Sequence, residues 1–271
     1  QRHAIATSSS NRCSMALRTF DPQELQVSRF LGELGFIEIT DWEYYGGRSN
    51  PLDPTTPTRT WNTSGTAVRL FDAKTSKNER VILKEFLPDM RDIAMAEAEM
   101  HERLTSSWEA RHGEGAGEPP VAALMGSLVA DDTFGSRRFI EKWVGKFPTV
   151  TPPRPGNIWL VFRWDGLSTF AGFPGAKQER EFFDLVNPAG KWVRRGAFVR
   201  EMMRGALEAT AFLHEAGVVH RSIGSSSFRM SSTDERFPNS LQVRLADLGF
   251  ASRVAELDDG TLRRAMRVGA S

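Results

Sequence analysis

The chain has 271 residues, 40% of them hydrophobic, and its 35 basic residues are balanced by 34 acidic ones. This composition is enough to build a real core in one large or two small domains. The balanced, scattered charge gives no case for nucleic-acid binding, and the single cysteine, Cys13, excludes an internal disulfide. No apolar run approaches the ~20 residues that span a bilayer, so we expect a soluble or peripherally bound protein.

The N-terminal segment is rich in hydroxyl and basic residues. Arg2, Arg12 and Arg18 precede the first acidic residue, Asp21, and the sequence does not begin with Met. Ends that are rich in Ser and Arg and poor in acids are typical of organelle transit peptides. We therefore interpret residues 1–26 as a tail that is either the remnant of such a peptide or a disordered segment of arbitrary composition.

Hydrophobic periodicity predicts the secondary structure in chain order. Apolar residues at nearly helical spacing favour a helix over residues 23–34, and alternation favours a strand over 36–45 that Gly46 and Gly47 break. The next segments predict strands over 66–72 and 80–86, a helix over 88–104 and a polar loop over 105–120. A buried strand over 121–130, an added strand over 139–144, a proline-rich connection over 149–155 and a further strand over 158–166 follow. A long apolar pattern then predicts a helix over 198–213.

The stretch after the predicted 198–213 helix carries the most specific motif. A turn at Gly217 leads through two valines to His220-Arg221, and a short apolar run ends in Asp247-Leu248-Gly249. This order resembles the catalytic loop and the metal-binding Asp-Phe-Gly turn of the protein kinases. In that family the His-Arg pair is followed by an Asp that accepts the substrate proton and, further on, by an Asn that holds magnesium. The corresponding residues here are Ser222 and Ser227.

The resemblance implies an α+β, bilobal fold of the protein-kinase type. Residues 27–165 would form a small, β-rich N-lobe with one helix, together with the hinge. Residues 166–271 would form part of a helical C-lobe that ends in the activation segment. Because the sequence stops at Ser271, soon after the Asp-Leu-Gly turn, we expect a fragment, since the 198–213 helix would otherwise be poorly covered.

The resemblance also implies a nucleotide site. The run Val81-Ile82-Leu83-Lys84 resembles the third kinase strand, whose Lys contacts the α- and β-phosphates of ATP. Glu97 is the expected partner of this Lys, with Glu99 as the competitor. The expected cofactor is ATP with Mg²⁺ at Asp247, or none. The other expected cofactor-binding residues belong to the phosphate loop, the gatekeeper position and the hinge: Gly65, Phe162, Arg163 and Asp165.

Three departures from the kinase pattern bear on function. Ser222 cannot serve as a base at neutral pH, and general-base catalysis is worth ~10²–10⁴ in rate. Ser227 offers a neutral hydroxyl where magnesium takes an amide or carboxylate oxygen. The Gly-x-Gly-x-x-Gly spacing of the phosphate loop is absent, while Lys84, Glu97 and Asp247 are kept.

These losses predict a pseudokinase, a scaffold or regulatory subunit that binds another protein in a larger assembly. Two alternatives stay open: an unorthodox kinase of low activity, in which another carboxylate such as Asp247 assists transfer, and a ligand-free structural subunit of a plastid complex. Residues 247–251 (Asp-Leu-Gly-Phe-Ala) and 159–169 look most like the chloroplast thylakoid kinases of the state-transition type. Together with the N-terminal composition, this predicts a chloroplast location, in the stroma or peripherally at the thylakoid, with the cytoplasm as the alternative.

Overall fold

The structure is a computed structural model that describes residues 18–35, 66–87, 90–113, 117–166, 168–173 and 188–256. The helices in these ranges are α1 (Arg91–His112), α2 (Arg137–Lys146) and α3 (Pro188–Glu215). The longer strands are β1 (Leu25–Gly35), β2 (Thr66–Thr75), β3 (Arg80–Phe86), β4 (Leu124–Val129) and β5 (Ile158–Arg163). The shorter strands are β6 (Ser168–Thr169), β7 (Val218–Val219), β8 (Phe228–Met230), β9 (Val243–Leu245) and β10 (Ser252–Arg253).

The first five strands form one antiparallel sheet in the order β1-β2-β3-β5-β4. Side chains alternate between the two faces of a strand. Ile82 and Leu160 therefore belong to the core beneath α1, whereas Phe71, Leu83 and Trp159 belong to a second core on the opposite face. Both faces of this sheet are covered, and β3 has the bounds that the sequence predicted.

β1 occupies most of the segment, 23–34, for which the sequence predicted a helix. Leu25, Val27 and Phe30 pack against the second core, and the pairing with β2 shifts in register between Val27 and Arg29. A bulge adds one residue to a strand, so the side chains on one face lie two and then three residues apart. That spacing resembles a helical period, and the predicted helix is wrong. The strand predicted over 36–45 lies outside the described residues, as do Cys13, Gly46 and Gly47.

α2 forms where the sequence predicted an added strand over 139–144, and that predicted strand is wrong. The N-lobe therefore has two helices and not the single helix that was expected. Ser136 caps its N-terminus by accepting a hydrogen bond from the Phe139 N–H at 3.3 Å. Phe139, Trp143 and Phe147 recur at four-residue spacing, which places them on one side of a helix, and they pack into the second core. The window of six residues was too short to reveal this spacing.

The C-lobe is built around α3, which extends beyond the predicted 198–213 helix at both ends. α1 also continues past its predicted end, so the first part of the predicted 105–120 loop is helical. Trp108 packs edge-on against Phe212, with ring centroids 5.3 Å apart, and Arg111 Nη1 donates to Glu215 Oε2 at 2.8 Å. These contacts with α3 hold the additional turns of α1. None of the helices in the described ranges has the length and apolarity to cross a membrane.

The residues just before β1 fall within the predicted N-terminal tail and lie against the sheet. Phe20 is buried in the second core, and its N–H donates to the Ser127 carbonyl of β4 at 2.8 Å. The division of the whole chain at residues 26 and 165 stays a prediction.

Candidate functional site

Lys84 lies on the side of β3 that faces α1. Its side chain is 5% exposed, and its ammonium donates to both carboxylate oxygens of Glu97, at 2.9 and 2.8 Å, and to Asp247 Oδ1 at 2.8 Å. Glu97 is buried in α1, whereas Glu99 is exposed. The structure therefore pairs Lys84 with Glu97 and not with its competitor, and it brings together three charged groups from three separate segments.

Asp247 reaches this cluster from the turn that follows β9. Its backbone is left-handed, with φ 64° and ψ 54°, a conformation that Asp adopts more readily than most residues. Gly249 lies against α1 so closely that a Cβ there would be 2.7 Å from Ile93 Cγ2 and 3.3 Å from Glu97 Oε2. A glycine at this position lets the turn approach α1 and hold Asp247 beside Glu97.

The loop between β7 and β8 carries the His-Arg-Ser sequence. His220 is buried, and its Nε2 lies 2.9 Å from the Ala246 carbonyl, which ties this loop to the chain just before the Asp-Leu-Gly turn. Ser222 is exposed. Ser227 is 4% exposed, and its hydroxyl donates to the Ser222 carbonyl at 3.0 Å and accepts from the Gly224 N–H at 3.2 Å. The Ser227 side chain therefore closes the loop on itself.

These features together decide the fold. A five-stranded antiparallel sheet carries a Lys on its third strand, the helix packed on that sheet supplies the paired Glu, and the Asp of the Asp-Leu-Gly turn completes the cluster. Protein kinases use the same Lys–Glu pair and the same kind of turn. The chain has a protein-kinase-like fold. In kinase-like terms, the first sheet and α1 belong to the N-lobe, and α3 with the shorter strands belongs to the C-lobe.

Comparisons with known proteins found no matching family model and no matching curated sequence. Among solved structures, the BubR1 kinase domain is 15% identical with a TM-score of 0.45, and the match covers 87% of this chain and 49% of that one. A Stt7 homolog from Micromonas algae, whose crystals were soaked with ATP, is 16% identical with a TM-score of 0.47, covering 93% of this chain and 56% of that one. The chain thus spans about half the length of these two structures.

The predicted gatekeeper and hinge residues line the central cavity of the kinase-like cleft. Phe162 is buried at the end of β5, and Arg163 and Asp165 follow it. Arg163 Nη2 donates to Asp165 Oδ1 at 2.9 Å, and Arg163 also donates to Glu118. Arg244 of β9 donates to Glu118 Oε2 at 2.7 Å. The hinge is therefore joined to a C-lobe strand by four charged side chains.

Two arginines that line the cavity were missed by the sequence reasoning. Arg229 of β8 and Arg244 of β9 lie opposite each other in the strand register. Each is the central residue of a three-residue strand whose two outer residues are buried and apolar. Because neighbouring side chains of a strand point to opposite faces, the central Arg points away from the core and into the cleft. The sequence contains this alternation, but each segment is too short for it to be recognised before the strand pairing is known.

The charged groups of the cleft shift one another's pKa values. Burial by itself would raise the pKa of Asp247, but the positive charges of Lys84 and Arg229 outweigh it and hold that pKa below its usual value. Burial by itself would lower the pKa of Lys84, but the carboxylates of Glu97 and Asp247 outweigh it and raise that pKa. At neutral pH, Lys84 is therefore positively charged and Asp247 negatively charged.

The cavity between these side chains is small. Its volume is about 20 Å³, which is room for about one water molecule. A nucleobase is larger than this enclosed space, so a bound nucleotide would also extend into the part of the cleft that is open to solvent. Gly65, which completes the predicted cofactor-binding set, lies outside the described residues.

A magnesium ion, which the kinase-like fold implies, does not suit the side chains present. One oxygen of Asp247 already accepts a hydrogen bond from Lys84, and the hydroxyl of Ser227 is buried and bonded on both sides. Within the described ranges, no three or more His, Cys, Asp or Glu side chains are grouped to hold a metal ion. Mg²⁺ requires near-octahedral oxygen coordination, and this donor set does not supply it.

Proposed function

We propose that this chain is a pseudokinase, a scaffold or regulatory subunit that binds another protein and transfers no phosphate. The observation that carries the proposal is the catalytic loop. Ser222 stands at the position of the proton acceptor, and Ser227, at the position of the metal-holding Asn, is hydrogen-bonded within the loop. The proposal rests on these side chains because the fold alone is compatible with either an active or an inactive protein.

The missing proton acceptor supports the proposal by its magnitude. General-base catalysis contributes ~10²–10⁴ in rate, or about 3–5 kcal/mol of barrier. Asp247 is the carboxylate next to the cavity that an unorthodox kinase would use instead. It is held by Lys84 at 2.8 Å, and the lowered pKa makes it a weaker base. Both facts argue against a low-activity kinase.

A phosphate-transfer assay tests the proposal. Radiolabelled ATP is supplied to the purified protein with Mg²⁺ and with Mn²⁺, and incorporation into the chain and into a generic acceptor protein is measured beside ATP hydrolysis. The matched control is Asp247→Asn, which removes a charge and keeps the side-chain shape. We expect the wild type and the control to give equal, background signals. Transfer by the wild type that Asp247→Asn abolishes would refute the pseudokinase.

We propose ATP as the ligand of the cleft. The support is the geometry of Lys84, since a Lys oriented by a buried Glu contacts the phosphates of ATP in kinases. The cavity of about 20 Å³ favours a second candidate, a structural subunit without a ligand. Thermal unfolding with ATP separates the two, because a ligand at a hundred times its dissociation constant stabilises a protein by about 2.7 kcal/mol. No shift at any ATP concentration would favour the structural subunit.

We propose a plastid location and a protein partner within a larger assembly. The support is the composition of residues 1–20, which is rich in Ser and Arg and contains no Asp or Glu. A fluorescent fusion to the C-terminus of the full-length protein, followed by fractionation of stroma and thylakoids, tests the location. Fluorescence that stays in the cytoplasm would contradict it.

A further inference from the structure

The cleft holds two buried or partly buried carboxylates around a single ammonium. Lys84 pairs with both Glu97 and Asp247, so these three groups carry a net charge of −1. Arg229 lines the same cavity, and its charge brings the sum to zero. Its influence reaches both carboxylates: with Lys84 it holds the pKa of Asp247 low against the effect of burial, and it opposes the rise that burial causes in the pKa of Glu97.

Arg229 differs from the other cations that line the cavity. Lys84, Arg163 and Arg244 each form ion pairs with carboxylates. In the part of the chain that the structure describes, the guanidinium of Arg229 has no ion-pair partner within 4 Å. A guanidinium presents several donors in one plane and matches the geometry of a phosphate, so Arg229 is the cation left for an incoming anion.

The charge of Arg229 acts on Asp247, the carboxylate that would hold a divalent cation. In kinases the metal neutralises the negative charge of the Asp and of the phosphates. Here the chain itself supplies a cation near Asp247. Arg229 would repel a magnesium ion, and the donor set does not match the coordination that magnesium requires. An octahedral ion also needs several oxygen ligands, whereas a guanidinium contributes donors only.

We propose that Arg229 takes the place of the divalent cation in this cleft, and that the cleft binds a nucleoside triphosphate in its metal-free form. The proposal rests on the assignment of ATP to the Lys84 cleft made above. Lys84 and Arg229 bind the phosphates from two sides, and Asp247 fixes Lys84 and balances its charge. Mg²⁺ then weakens binding, because it removes free ATP from solution and places a second positive charge near Arg229, which repels it.

Thermal unfolding and titration calorimetry test the proposal with ATP in EDTA, ATP with excess Mg²⁺, and Mg²⁺ alone. The variants are Arg229→Met, the conservative Arg229→Lys, and Arg138→Met, which removes an exposed arginine of α2 far from the cleft. We expect ATP in EDTA to raise the melting temperature and to bind at least as tightly as with Mg²⁺. Arg229→Met should weaken binding in EDTA about 10- to 100-fold, as expected for losing hydrogen bonds to a charged group. Arg229→Lys should keep part of the affinity, and Arg138→Met should keep all of it.

Two results would overturn the proposal. The first is binding of ATP that is at least tenfold tighter with Mg²⁺ than in EDTA, and the second is no binding under any condition. Both comparisons use the wild type, so they stand even where Arg229→Met fails to fold. Either result leaves the pseudokinase intact, because that proposal fails on phosphate transfer and not on the requirement for a metal ion.

Discussion

The buried His101 predicts how the stability of the protein depends on pH. His101 lies on α1, is 1% exposed, and has no hydrogen-bond partner for either ring nitrogen among the described residues. Burial, with a further contribution from the charge of Lys84, lowers the pKa of His101 to about 3. The unfolded chain titrates at the ordinary value of about 6.5. Between these values the unfolded state binds the proton and the folded state does not, so stability falls as the pH falls below 6.5.

The magnitude follows from linkage. Each pH unit below 6.5 costs about 1.4 kcal/mol of unfolding free energy, so His101 costs about 2 kcal/mol at pH 5 and almost nothing at about pH 7.5. The test is urea unfolding of the wild type and His101→Leu at both pH values. The variant should gain about 2 kcal/mol relative to the wild type on going to pH 5. His220, whose pKa is also lowered mainly by burial, is present in both proteins and cancels. An equal difference between the two proteins at both pH values would refute this reasoning.

Three further predictions concern the packing. Glu85→Ala should lower the free energy of unfolding in urea by about 3–5 kcal/mol, because Glu85 is 0% exposed and accepts from Arg69 at 2.6 and 2.9 Å. Replacing both Arg69 and Glu85 by Met should recover most of that free energy. A loss below about 1 kcal/mol for Glu85→Ala would contradict the prediction. Gly205→Ala should destabilise α3 by about 1–3 kcal/mol, since a Cβ there would lie 2.8 Å from a side-chain atom of β9. A Cβ at Gly196 would have nothing within 4 Å, so Gly196→Ala should stabilise the same helix by about 0.5–1 kcal/mol. Equal effects of the two variants on the melting temperature would contradict this prediction. Trp143→Ala should cost about 3–5 kcal/mol by the same urea assay, because the indole is buried in the second core, and retention of wild-type stability would show that α2 is not needed there.

Strands and helices with an uninterrupted pattern could be predicted from the sequence, and those with an interrupted one could not. β3 was predicted with its bounds, since a continuous apolar run leaves little choice of structure. The segment that became β1 was predicted as a helix, because the register shift after Val27 breaks the two-residue alternation. The extension of α1 depends on contacts of Trp108 and Arg111 with α3, and no window of local sequence contains that information.

The kinase motifs placed Lys84, Glu97 and Asp247 in one site, and the structure brings these three side chains together. The motifs said nothing about Arg229, because its position opposite Arg244 depends on the pairing of two short strands that are separate in sequence. A three-residue strand is also too short for its periodicity to be recognised without the pairing. Long-range pairing thus decided which cations surround the cavity.

Neighbouring residues on β3 connect the cleft to the covered face of the sheet. Lys84 points toward α1, and Glu85 points to the opposite face, where it accepts from Arg69 and from Asn157 Nδ2 at 2.6 Å. Arg69, which lies on β2, also donates to the Thr151 carbonyl at 2.6 Å. The connection between β4 and β5 is therefore linked to the strand that carries Lys84 through the ion pair between Arg69 and Glu85. Lys84 and Glu85 are consecutive residues of β3, so a shift of the strand backbone at Glu85 also displaces Lys84. We therefore expect a partner that binds over this connection to change ligand binding in the cleft, which is the coupling that a regulatory subunit requires.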